Sequence, residues 1–77
     1  MNITVYAKPY CPQCDATKRQ LERQGIDYSV IDITQDEQAL GQLLQAGFAQ
    51  APVVVTEQEA WSGYRPDKIR SLVGVMQ

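Results

Sequence analysis

The stretch ITVYAKPYCPQCDATKRQL, residues 3–21, runs an extended segment straight into a helical one and puts both cysteines of the chain at the joint. Ile3 to Ala7 mixes β-branched and aromatic residues over the length of a strand, and Lys8-Pro9-Tyr10 stops it. Pro12 suits the first helical position, where a missing N–H is no loss, and Gln24-Gly25 supplies the glycine expected just past a helix end. The pattern predicts a strand over Ile3–Ala7, a helix over Pro12–Gln24, and Cys11 at the cap between them.

The rest of the chain repeats the alternation. Tyr28–Ile33 reads as a strand, and Thr34, three residues before Glu37, has the spacing of a capping box. Ala39, Leu40, Leu43 and Leu44 follow at helical spacing until Gly47 ends the run. Val53–Val55, a polar turn around Glu57-Gln58 and a short strand around Ala60-Trp61 read as a hairpin, after which Pro66 opens a helix with Ile69, Leu72, Val73 and Met76 on one face. The order is β-α-β-α-β-β-α. A right-handed crossover makes the first two strands parallel and the hairpin adds antiparallel ones. The expectation is an α/β fold, a four-stranded mixed sheet flanked by three helices, in the layout of a small thioredoxin-like domain. Seventy-seven residues, with no repeat or linker, make one domain over 1–77.

Charge removes several function classes. Seven basic side chains face nine acidic ones, for a net charge of -2, and the basic ones form no run. Nucleic acid is therefore not expected as a partner, because phosphate binding rests on clustered positive charge. No apolar stretch approaches the roughly 18 residues of a membrane span, and MNITVYAK lacks the charged and apolar regions of a signal peptide. A cytoplasmic protein without membrane contact is expected, and there a C-x-x-C pair is catalytic or metal-binding more often than structural.

Two helical residues three apart have Cα atoms about 5 Å apart, inside the roughly 4.4–6.8 Å that a disulfide needs. As a staple the pair is poor, since closing so short a loop gives only about 2 kcal/mol. A closed zinc site wants four ligands, and this chain offers two sulfurs and no histidine. A redox couple explains the spacing better. Cys11, at the helix N-terminus, meets unpaired N–H groups and the positive end of the dipole, which favour its thiolate and make it the expected nucleophile. Lys8 adds to that field, while Asp15, a turn away, opposes it. Cys14, one turn in and pointing sheetward with Thr17 and Leu21, is the expected resolving thiol.

Pro52 begins the third strand, where a trans proline is the ordinary reading. In thioredoxin-like folds the loop before this strand lies beside the C-x-x-C with a cis bond that presents the preceding backbone, here Ala51, to a partner chain. A cis Ala51-Pro52 bond is expected. The block WSGYRPDK, residues 61–68, reads by itself as a core tryptophan, a Ser-Gly turn, a solvated Arg65 and a helix start. Tyr10 and Tyr64 likewise read as amphipathic side chains with wet tips.

YAKPYCPQCDATKRQL, GFAQAPVVV and WSGYRPDKI together resemble the NrdH-redoxins, small glutaredoxin-like proteins, from Ile3 to about Leu72. The resemblance implies a thioredoxin-fold electron carrier with no bound cofactor, a monomer that takes electrons from NADPH through thioredoxin reductase and passes them to a class Ib ribonucleotide reductase. It implies Cys11 as nucleophile, Cys14 as resolving thiol and a cis Pro52. Trp61, Ser62, Gly63, Tyr64 and Arg65 would order the surface near the redox site and, with Lys8, Tyr10, Pro12, Gln13, Ala51 and Pro52, meet the partner. Two positions depart from the family pattern. Pro12 stands where Val or Met is usual and removes a backbone donor near Cys11, which bears on the redox potential. Tyr64 stands where Phe is commoner.

Two alternatives remain open at this point. A glutathione-reduced glutaredoxin shares Pro12, but usually follows its last strand with a Gly-Gly turn and an acidic residue, where this chain has SGYRPD. A C-x-x-C metal carrier or iron-sulfur scaffold is the other, although copper carriers usually show Met-x-Cys-x-x-Cys on a different element order.

Overall fold

A computed structural model describes residues 2–76. Strand β1 spans Thr4–Ala7 and helix α1 Pro12–Arg23, followed by β2 over Ser29–Asp32 and α2 over Glu37–Gln45. The hairpin strands β3 and β4 span Val53–Val55 and Ala60–Ser62, and α3 spans Pro66–Met76. This is the β-α-β-α-β-β-α order that the punctuation predicts. The sheet runs β2-β1-β3-β4, with β1 and β2 parallel and the other two pairings antiparallel. The placement of β1 at the centre matters most for function, because its C-terminal end delivers the chain into the cysteine joint.

Register explains the main core. Val5 stands opposite Val54, and Val54 opposite Trp61, so three buried side chains line up across one face of the sheet. That face joins Cys14 and Leu21 of α1 with Ile69 and Leu72 of α3 in one buried cluster. Leu21 and Ile69 are fully buried, each worth about 1.5–3 kcal/mol by apolar area removed from water. Val53, one residue along from Val54, alternates to the opposite face. The side chains of Val73 and Met76, which spacing puts on the inner face of α3, lie outside the described residues.

Helices α1 and α2 end alike. The N–H of Ile26 bonds Leu21 O and that of Gly25 bonds Glu22 O; Phe48 and Gly47 repeat the pattern on Leu43 and Leu44. These are paired terminal bonds of the Schellman type, closed by a glycine in the left-handed region.

The start of α2 corrects the expected capping box. Thr34 is not the cap: its hydroxyl and its N–H both donate to Asp32 Oδ1, at 2.6 and 2.9 Å. Asp36 caps α2 instead, its carboxylate accepting the N–H of Ala39 at 3.0 Å. The physical reason is competition. Asp32 recruits Thr34 into a tight turn two residues on, which leaves Asp36 as the next side chain able to accept an orphan N–H. The bonds from Thr34, hydroxyl first and amide second, hold the Asp32 carboxyl below the usual carboxylate range.

Candidate active site

Cys11 is the N-cap of α1, in extended conformation, with Pro12 at the first helical position. Its sulfur accepts the N–H of Cys14 at 3.1 Å and its carbonyl accepts that of Asp15, also at 3.1 Å. One sulfur thus takes a donor that the first helical turn leaves unpaired. The same donor and the positive end of the helix favour negative charge on that sulfur once it is reduced. Cys11 and Cys14 are joined as a disulfide with Cα atoms 5.2 Å apart, close to the spacing that helix geometry dictates. Cys14 is 1% exposed and faces the core with Thr17 and Leu21, whereas Cys11 is 7% exposed. Asp15 is drawn into an exposed ion pair with Lys18 at 3.6 Å. Among the described residues, no three His, Cys, Asp or Glu side chains cluster as a metal site.

A groove of about 430 Å³ runs past Cys11. Of the residues singled out in the sequence, Lys8, Tyr10, Pro12, Gln13 and Ala51 line it with Cys11. Tyr10 is fully exposed and its backbone sits at φ 57°, a left-handed conformation that costs a non-glycine residue about 1–2 kcal/mol. That backbone aims the phenol outward at the lip of the groove. The Ala51-Pro52 peptide bond is cis, as the fold-level reading expects, and Pro52 is buried behind the groove wall.

The rest of the lining was missed in the sequence. Ile33, Leu40, Leu43, Leu44, Phe48, Ala49 and Gln50 complete it. Leu40 and Leu44, which follow Ala39 and Leu43 at helical spacing, are 38% and 57% exposed, while Ala39 and Leu43 are buried. The apolar stripe of this short helix is wider than the core it covers. Two adjacent pairs, Ala39-Leu40 and Leu43-Leu44, were the available signal: the first member of each is buried, the second is exposed, and Leu40, Leu43 and Leu44 all line the groove.

The block after β4 divides. The N–H of Gly63 donates to Pro52 O at 2.8 Å, tying the hairpin end to the cis-proline loop. A Cβ added at Gly63 would stand 3.7 Å from Gln13 Oε1, so this turn lies against the C-x-x-C segment. Trp61 is buried in the same cluster as both cysteines, with Lys68 Nζ 5.9 Å from its ring centre and 2.8 Å from Glu59. Ser62 pairs with Val53 in the ladder and is exposed. Tyr64 lies away from the groove, beside Ala16, Arg19, Gln20 and Arg23 of α1. Arg65 holds Asp67 through bonds of 3.0 and 3.2 Å, and its carbonyl accepts the N–H of Ile69 at the start of α3. That fork keeps the Asp67 carboxyl below the usual range and the Arg65 guanidinium above its own.

The chain as a whole is similar to known proteins. The family model described as Glutaredoxin matches residues 3–61. The glutaredoxin-like protein NrdH of Escherichia coli strain K12 is 43% identical over 72 residues, covering 94% of this chain and 89% of that protein. NrdH of Lactococcus lactis subsp. cremoris is 33% identical over 70 residues, covering 91% and 97%. A solved structure of the Escherichia coli NrdH-redoxin superposes with a TM-score of 0.92 at 43% identity, covering 94% of this chain and 95% of that one. No helix among the described residues is long and apolar enough to cross a membrane.

Proposed function

We propose, on the premise that the chain belongs to the glutaredoxin family and within it to the NrdH-redoxins, that this thiol-disulfide oxidoreductase is a dithiol electron carrier for ribonucleotide reduction. Its electrons come from NADPH through thioredoxin reductase, and it delivers them to a class Ib ribonucleotide reductase. One observation carries the reading: Cys11 Sγ, at the mouth of a groove, accepts a helix N-terminal N–H at 3.1 Å while bonded to a partner sulfur that is 1% exposed. An outer sulfur that bears charge well and an inner one that strangers cannot reach divide the work between them.

The chemistry follows. In the reduced carrier the Cys11 thiolate attacks one sulfur of the acceptor's disulfide; a Cys11–acceptor bond forms and the other acceptor sulfur leaves as thiolate. The Cys14 thiolate then attacks Cys11 Sγ, the mixed disulfide breaks, and the second acceptor sulfur leaves. Two electrons have moved to the acceptor, and the carrier holds the Cys11–Cys14 bond until the reductase reverses the exchange. No bound cofactor takes part. Short helical spacing supports the cycle, because Cα atoms 5.2 Å apart let the bond open and close with little backbone movement.

Partner choice rests on the rest of the site. The groove beside Cys11 and the Ala51-Pro52 loop receive the partner's cysteine-bearing segment, with Lys8, Tyr10 and Gln13 at its edge. The Escherichia coli NrdH-redoxin has a thioredoxin-like activity profile, which favours thioredoxin reductase over glutathione as the electron source here. A cytoplasmic monomer fits a carrier that must shuttle between two proteins in a reducing compartment.

The test follows NADPH oxidation on a model disulfide in two arms. One arm contains thioredoxin reductase and the carrier; the other contains glutathione, glutathione reductase and the carrier. Turnover in the first arm is expected. Turnover confined to the second would replace this reading with a glutathione-dependent glutaredoxin.

A further inference from the structure

The oxidised protein leaves two buried side-chain polar atoms without a hydrogen-bond partner among the described residues, Thr17 Oγ1 and Trp61 Nε1. Native cores rarely leave such groups idle, so each calls for a reason. Thr17 is wholly buried, and Trp61 shares its cluster with Cys11 and Cys14. Both unpaired donors therefore belong to the part of the core whose chemistry changes during the redox cycle.

Thr17 stands three residues after Cys14 on the inward face of α1. Residues at that separation have Cβ atoms about 5–6 Å apart, and helical side chains lean toward the N-terminus. Thr17 thus leans over the turn that carries Cys14. In the disulfide the Cys14 sulfur is tied to Cys11, one turn further toward the N-terminus and away from Thr17. When a dithiol reductant breaks that bond, its own two sulfurs close into a disulfide, two electrons pass to the Cys11–Cys14 pair, and each sulfur that does not remain a thiolate takes up one proton. The Cys14 sulfur is then free to turn, and as thiol or thiolate it accepts a hydrogen bond better than a disulfide sulfur does.

We propose that the Thr17 hydroxyl, idle in the disulfide, donates to Cys14 Sγ in the reduced protein, so that the core itself favours the electron-loaded carrier. The inference rests on the dithiol cycle proposed above and is independent of which reductase drives it. Threonine in a helix ordinarily satisfies its hydroxyl on a carbonyl three or four residues back, and the unpaired Thr17 Oγ1 makes no such bond. Its hydroxyl remains available to the sulfur.

Thr17→Val removes the hydroxyl at nearly constant shape, and Thr17→Ser keeps it. Each variant is equilibrated against glutathione–glutathione disulfide buffers, quenched with acid, and its thiols counted. Thr17→Val is expected to lower the ratio of dithiol to disulfide about fivefold, the effect of one typical hydrogen bond. At 29.6 mV per tenfold, that is a potential about 20 mV more negative. Thr17→Ser is expected to stay within about twofold of the unaltered protein.

An unshifted ratio for Thr17→Val overturns the inference, and so does a Thr17→Ser shift as large as that of Thr17→Val, which would assign the effect to packing. If Thr17→Val does not fold, the unaltered protein still decides. Its Thr17 hydroxyl proton resonance is expected to move downfield by NMR on reduction, as a proton entering a hydrogen bond does, and a resonance at the same position in both forms overturns the proposal. A disulfide in the unaltered protein that no buffer opens would sink the carrier reading and this inference together. A normal titration of that protein with an unshifted Thr17→Val sinks this inference alone.

Discussion

Two glycine-to-alanine substitutions, Gly63→Ala and Gly41→Ala, are expected to move stability in opposite directions. Gly63 sits at φ 82°, and its added Cβ would meet only Gln13 Oε1, at an ordinary 3.7 Å. Sterics at that position are therefore harmless and the cost is conformational, about 1–2 kcal/mol for an L-residue in the left-handed region. Alanine recovers part of this by having fewer unfolded conformations, leaving a net loss of about 1 kcal/mol. In a domain of this size that lowers the melting midpoint by roughly 4–8 °C. Gly41 lies inside α2, with nothing within 4 Å of the added Cβ. There alanine stabilises by about 0.5–1 kcal/mol.

Urea unfolding of the oxidised proteins, read as midpoints at constant slope, separates the two cases. Gly63→Ala should unfold at lower urea than the unaltered protein and Gly41→Ala at higher. The Gly63 N–H that bonds Pro52 O survives in alanine, so the shift reports on backbone conformation and not on a lost hydrogen bond. A Gly63→Ala midpoint equal to or above that of the unaltered protein would refute the conformational argument. So would a shift of both variants in the same direction.

Asp36→Ala removes the cap of α2 and should cost about 1 kcal/mol in urea unfolding, whereas Thr34→Ala should leave the Asp36–Ala39 bond intact. A larger loss from Thr34→Ala than from Asp36→Ala would restore the capping box. Arg65→Gln bears on acid stability. Because Arg65 depresses the Asp67 carboxyl in the folded state, that contribution is present above the unfolded value near 3.9 and is lost as pH falls through the folded value. The gap between the urea midpoints of the unaltered protein and Arg65→Gln should therefore hold from neutral pH down to about 4 and narrow as pH falls further. A gap that does not narrow below about pH 4 would contradict the pairing.

Elements whose ends are set by proline and glycine were readable in the sequence. Pro12 and Gly25 bound α1, Gly47 follows α2, and Pro66 opens α3, because each residue acts through its own backbone with little help from the rest of the fold. The α2 cap was misread for the opposite reason: Thr34 and Asp36 are both good caps, and the choice fell to a third residue, Asp32, whose turn is a local competition that spacing does not rank. Cys11 and its shielded partner were legible from a helix start and a spacing of three. The groove was legible only in part. Lys8 to Gln13 adjoin Cys11 in the chain, but Leu40, Leu44 and Phe48 reach it through the crossover after β2, and whether a leucine on an amphipathic helix faces core or groove depends on how far the sheet extends beneath it. The cis Ala51-Pro52 bond followed from the fold once the fold was recognised, and no local pattern announces it.

The central claim is the division of labour between the two sulfurs, Cys11 attacking and Cys14 resolving. Mixing reduced Cys14→Ser with a disulfide acceptor and separating the products without reductant tests it most directly. The account predicts a stable mixed disulfide joined through Cys11, which the unaltered protein does not accumulate and Cys11→Ser does not form. A Cys11→Ser protein that captures the acceptor through Cys14 at a comparable rate would contradict it.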